Sequence, residues 1–98
     1  GLTFNQMAKL TSFTAARRFG LPSKGDIAEG LDADLVLVDP NDTWTVRAAD
    51  SESRQGYTPF EGLEMTARVK TTFLRGQRIY DNGEVLGKPV GRYLHRPY

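Results

Sequence analysis

In the stretch GLDADLVLVDP, residues 30–40, Asp32, Asp34 and Asp39 surround four consecutive apolar residues, Leu35 to Val38. Carboxylates this close in sequence can hold a hard divalent cation, or divide the work of a general acid and a general base. Geometry decides whether these three can. On an extended chain Asp32 and Asp34 share a face roughly 7 Å apart, whereas Asp39, five residues past Asp34, points to the other side. The three cannot close on one ion through this strand. Leu35 and Leu37 face one way and Val36 and Val38 the other, as in a strand covered on both faces. A buried strand is expected, with Asp32 and Asp34 at its entry and Asp39, Pro40 and Asn41 in its exit turn.

The other reactive residue types are sparse. His95 is the only histidine, so a Ser-His-Asp relay would have to be built around it, and a zinc site would need its remaining ligands from carboxylates. With no cysteine there is no thiolate ligand, no cysteine nucleophile and no disulfide framework, and a cytoplasmic location is expected. GLPSKG, residues 20–25, is not a phosphate loop: it lacks two glycines at the required spacing before Lys-Ser/Thr, and it follows a helix instead of a strand. In SRQGYTPFEGLE, residues 53–64, Tyr57, Pro59 and Phe60 make a rigid apolar patch, of the kind that packs on a neighbour. No residue is assigned a catalytic, cofactor-binding or metal-binding role.

A chain of 98 residues has the size of one ordinary domain or of one piece of a larger fold. It is 39% hydrophobic and 26% charged, and no apolar run approaches the roughly 18 residues of a membrane span. Residue 1 is Gly and Thr3 already resembles a helix cap, so a fragment of a longer protein is expected. The net charge of +1 hides an internal polarity: residues 66–98 carry seven Lys/Arg against two acids, and residues 1–65 carry six against ten. Interleaved with Phe73, Tyr80, Tyr93 and Tyr98, the basic half has the composition of a nucleic-acid face. The near-zero total argues against phosphate tracking, and no nucleic-acid partner is expected. Its Arg and Lys are expected to be solvated or paired with acids of the first half.

Thr3 and Gln6 form a capping-box pattern, and Phe4, Met7, Ala8 and Leu10 fall near one helical face. Residues 3–20 are therefore expected to be helical and broken near Thr11, with Ser12 capping a second short helix that Gly20 closes before Pro22. The period then changes from 3.6 to 2. KGDIA, ADLVLVD and TWTVR are strand candidates. Residues 66–75 make a longer strand, RGQ turns into QRIYD, and Asn82-Gly83 turns into EVL, which predicts a three-stranded meander. The tail, GKPVGRYLHRPY, has no period and is expected to be extended and docked.

The order LTSFTAARRFGL, KGDIAEGLDADLVLVDP, WTV, TPFEG, VKTTFLRGQRIYDNGEV and GRYL resembles the C-terminal part of the cyclic amidohydrolases, the dihydroorotase, allantoinase and hydantoinase/dihydropyrimidinase group. The resemblance runs from Leu10 to Leu94 and departs at Thr14-Ala15, often Asn-Pro in that group, and at Ala67, often Gly. It implies an α+β fragment. Residues 1–22 would be a helix pair at the end of a (β/α)8 barrel, residues 23–87 strands of a small β-sandwich, and residues 88–98 an extended tail on the barrel or a neighbouring subunit. It also implies a parent hydrolase that opens a cyclic amide with water activated by two zinc ions. Their ligands would be a His-x-His pair, a carboxylated Lys, two further His and an Asp. None of those motifs occurs in this chain, so no cofactor is expected in it. The expected partners are the rest of the same protein and further copies of it. Two other readings remain: a non-catalytic relative acting in assembly, and an independent β-module that binds a ligand or nucleic acid.

Overall fold

Thr3 opens the helical run as its spacing predicts: the Gln6 amide donates to the Thr3 hydroxyl at 3.1 Å, and the Thr3 amide donates to Gln6 Oε1 at 2.9 Å. The computed structural model describes residues 1–97, so Tyr98 lies outside the described residues. Helix α1 spans Phe4–Ala8 and α2 spans Thr14–Arg18, and between them Lys9–Phe13 form a π turn. The expected break is thus a widening. Thr11 donates its hydroxyl to the Met7 carbonyl at 2.8 Å, the side-chain competition that loosens a helical ladder, and the Thr14 amide reaches back to Lys9. Ser12 caps nothing, because the backbone stays helical through it.

Gly20, at φ +69°, closes the run. Its amide donates to Arg17 and the next amide, of Leu21, donates to Ala16 at 2.8 Å, the paired closure that a left-handed glycine allows. KGDIA does not form a strand. Gly25 turns it at φ +92°, and its ends are held by loop bonds, Lys24 to Leu21 and Asp32 to Ser23.

Six short strands follow: β1 Leu35–Asp39, β2 Trp44–Thr45, β3 Glu64–Met65, β4 Arg68–Leu74, β5 Gln77–Asp81 and β6 Glu84–Val85. The β4-β5-β6 meander forms as expected, and β1 joins it in an antiparallel sheet of order β1-β4-β5-β6. Strands β2 and β3 form a separate ribbon, so only the first part of TWTVR is strand. Both meander turns use left-handed pairs, Arg75 (φ 47°) with Gly76 (φ 81°) and Asn82 (φ 47°) with Gly83 (φ 92°), whose twist suits a tight hairpin. The register of β1 on β4 slips between Leu37 and Val38. The residue skipped is Lys70, so the bulge lies in β4 and β1 runs through it without an extra residue.

Little of the chain is buried. Ala16, 6% exposed, and Thr71, 8% exposed, are the buried residues among those described. Thr71 sits mid-strand between Leu37 and Asp81 and donates its hydroxyl to Asp81 Oδ1 at 2.9 Å. Thr71→Val keeps the shape and removes that bond. It is expected to cost about 1 kcal/mol, read as the shift in chemical unfolding of the intact protein.

The faces of β1 are bare: Val36, Leu37 and Val38 are 54%, 54% and 43% exposed. Phe4, Met7 and Leu10 also lie open, as the helical stripe predicts. The total surface is 8206 Å² for 10.9 kDa, whereas a folded monomer of that mass presents about 5,600 Å². The radius of gyration, 15.4 Å, likewise exceeds the roughly 12.6 Å of a compact domain of this length. An excess of about 2,600 Å² is the scale of surface that one partner contributes to a large obligate interface.

Candidate functional site

The helical run and the sheet meet at an ion cluster built on Lys24. Its ammonium lies 2.9 Å from Asp32 Oδ2 and in still closer contact with Asp34 Oδ2. The Asp34 amide donates to the Asp32 carbonyl, which turns the chain so that both carboxylates meet the same cation. The other oxygen of Asp34 accepts the Arg75 amide at 2.8 Å, and the Gly76 amide donates to the Ala33 carbonyl at 2.9 Å. Three segments therefore converge: the loop after α2, the entry to β1 and the β4-β5 turn.

The electrostatics follow from that contact. The hydrogen bond from Lys24 holds Asp34 below the ordinary carboxylate value of 3.8, against the opposing effect of desolvation, and the Arg75 amide adds to the lowering. Asp32 is lowered by the same ammonium. Lys24 is raised above 10.5, chiefly by its bond to Asp34. At neutral pH both carboxylates are ionised and the amine is protonated. The cluster offers neither a free nucleophile nor a poised acid–base pair; its chemistry is that of a tie between segments.

A second cluster fixes the far end of β1. Lys70 and Arg68 of β4 both engage Asp42, with Arg68 Nε at 3.3 Å, and the Lys70 contact holds the Asp42 carboxyl down. Arg68 also lies over the Trp44 ring, 5.6 Å from its centre, while Trp44 Nε1 donates to the Ala67 carbonyl at 2.8 Å. Two cations of the basic half are thus paired with an acid of the first half.

The residues that sequence spacing singled out do not assemble. Asp32 and Asp34 come together, but around Lys24. Asp39 accepts the Asn41 amide at 2.9 Å in its own turn and stands opposite Arg68 in the sheet. Among the described residues His95 makes an edge-on ring contact with Tyr93, with ring centres 4.8 Å apart. Tyr57 and Phe60 are exposed. Among the described residues no three His, Asp or Glu side chains could share a metal ion, and the nearest acidic pair is already occupied by an ammonium. These residues do not fit a metal centre. Sequence reasoning missed Lys24 and Arg75, which lie 10 and 41 residues from Asp34, separations with no local periodic signal.

Two open depressions flank the cluster. A groove of about 880 Å³ runs between the helical run and β1, walled by Ala8, Phe19, Ile27, Val36 and Leu37. A smaller one, about 460 Å³, lies at the end of α2 against Phe13, Leu21, Leu31 and Pro97. Their walls are mostly apolar. No helix among the described residues is long and apolar enough to cross a membrane.

The chain as a whole is similar to known proteins. The profile of the amidohydrolase family matches residues 1–79. An allantoinase of Rubrobacter xylanophilus is 42% identical over 94 residues, 96% of this chain and 21% of its own. A dihydroorotase of Methanothermobacter thermautotrophicus is 39% identical over 93 residues, 95% of this chain and 21% of its own. Among solved structures, that of a D-hydantoinase superposes with a TM-score of 0.91 at 35% identity, covering 97% of this chain and 21% of the hydantoinase. The chain spans about a fifth of the length of the relatives it matches.

Proposed function

The chain belongs to the amidohydrolase family, and from that premise we propose that it is scaffold of a metal-dependent cyclic amidohydrolase, supplying structure and not catalytic groups. The whole protein would hydrolyse a C–N bond of a cyclic amide, of the dihydroorotate, allantoin, hydantoin or dihydropyrimidine type. The observation that carries this reading is likeness over nearly the whole chain to relatives named for those activities. Residues 1–22 would end a (β/α)8 barrel, residues 23–87 would supply sandwich strands, and residues 88–98 would form the tail. Zinc is the metal that the resemblance implies. No group among the described residues fits it, so its ligands would come from elsewhere in the protein, and so would the loops that choose the substrate.

Physical chemistry supports the scaffold role independently. The bare β1 faces and the Phe4/Met7/Leu10 stripe carry more apolar surface than a stable monomer leaves in water. The rest of the same protein, and a further copy of it, would cover that surface. The Lys24 tie then fixes how the helical run meets the sheet.

Two measurements test the proposal. Full-length protein supplied with zinc is expected to open at least one of the four ring types; turnover of none would favour a non-catalytic relative used in assembly. Residues 1–98 alone are expected to be inactive and to associate, with surface that binds hydrophobic dyes. A dilute monomeric sample with a sharp cooperative melt and no dye binding would remove the scaffold reading.

A further inference from the structure

Residues 88–97 of the tail form no helix or strand, yet they are fastened at two points. At its start, Arg75 Nη2 donates to the Val90 carbonyl at 2.5 Å. At its far end, the Arg96 guanidinium lies 5.5 Å from the centre of the Phe19 ring, and Pro97 closes one wall of the depression beside Phe13 and Leu21. Between these points Val90 and Leu94 are half-buried while their neighbours are exposed. An untethered terminus would fray and expose them equally.

The two anchors belong to different parts of the chain. Arg75 is the left-handed residue of the β4-β5 turn, and its amide is already held by Asp34. Phe19 directly follows α2. From the structure we infer that residues 90–97 form a clasp, which joins the end of the helical run to the sheet beside the Lys24 tie, since Lys24 and Pro97 line one depression and Arg75 serves both connections. Lys24 and the tail thus make two separate connections between the same parts. One is ionic and local; the other combines a part-buried, charge-assisted hydrogen bond with a cation–π contact between exposed residues.

Trypsin reports on the clasp directly, because Arg92-Tyr93 lies inside it, whereas Lys88 and Arg96 each precede proline and resist cleavage. In the intact protein, Arg96→Ala and Phe19→Leu are each expected to speed cleavage at Arg92 about threefold, the scale of an exposed cation–π contact. The double variant is expected to be cut no faster than either single one, since both remove the same contact. Arg96→Lys, which keeps a cation over the ring, is expected to restore part of the protection. Amide exchange across Thr14–Arg18 should rise with tail release. Unchanged cleavage, additive effects of the two variants, or unchanged exchange in α2 would overturn the clasp. So would protection that rises with protein concentration, which would mean that a neighbouring subunit holds the tail.

Discussion

Gly25→Ala dislodges the loop after α2 from the helical run, at an expected cost of about 2–4 kcal/mol. A methyl group built on Gly25 lies 2.5 Å from the Ala16 side chain and 2.8 Å from the Ser12 carbonyl oxygen. Neither neighbour can swing away: one is a methyl on a helix, the other is backbone. The backbone at φ +92° adds about 1–2 kcal/mol against any side chain. Gly30 separates the two effects, because it has φ +87° and open space around its missing Cβ. Gly30→Ala should cost only the backbone effect, about 1–2 kcal/mol. Adding Ala16→Gly to Gly25→Ala relieves the first clash and leaves the second, so only partial recovery is expected. Chemical unfolding of the intact protein and amide exchange across Thr14–Arg18 measure all three variants. Equal costs for Gly25→Ala and Gly30→Ala would show that this close approach does not hold the loop.

The same glycine shows where sequence reading stops. Features whose partners lie within a few residues were legible: the Thr3/Gln6 capping box, the Gly20 closure and the Asn82-Gly83 turn each form through local bonds. KGDIA alternated like a strand, yet the close approach of Gly25 to Ala16 bends it into a loop, and no periodicity encodes that contact. The apolar run at Leu35 was legible as a strand. Its place beside β4, more than 30 residues later in the chain, and the bulge at Lys70 depend on pairing between distant segments. The aspartates drew attention for the right reason, since they do converge on a positive charge. That charge is Lys24, in a loop whose path is set by Gly20 and Gly25, so the convergence turns a candidate metal or catalytic pair into a structural one. Residues 3–20 were legible as helix broken near Thr11, and the run observed is Phe4–Arg18; that the break is a π turn was not legible, because Thr11 widens it through one hydroxyl bond rather than through any helix-breaking residue.

The Lys24 tie should dominate the response of this region to charge-removing substitutions. Asp34→Ala removes the contact to Lys24 and the acceptor for the Arg75 amide together, and is expected to cost about 1–2 kcal/mol. Asp34→Asn can still accept the amide, so it should cost less than half as much. In a double-mutant cycle, Lys24→Met should add on top of Asp34→Ala only the cost of its remaining contact with Asp32, because the Lys24–Asp34 interaction is already gone. The pH dependence has a definite sign. Asp34 is depressed below 3.8, so its contribution is fully present above that value and is lost as pH falls through the lower folded-state value. Lys24 is raised above 10.5, so its contribution is fully present below 10.5 and is lost as pH rises through the higher folded-state value. The stability difference between the wild type and Asp34→Ala should therefore be flat from about pH 5 to 9 and shrink below about pH 4. A difference that changed steeply near neutrality would mean that a group other than this pair governs the joint. A difference near zero throughout would mean that packing at Gly25, not charge, holds helix and sheet together.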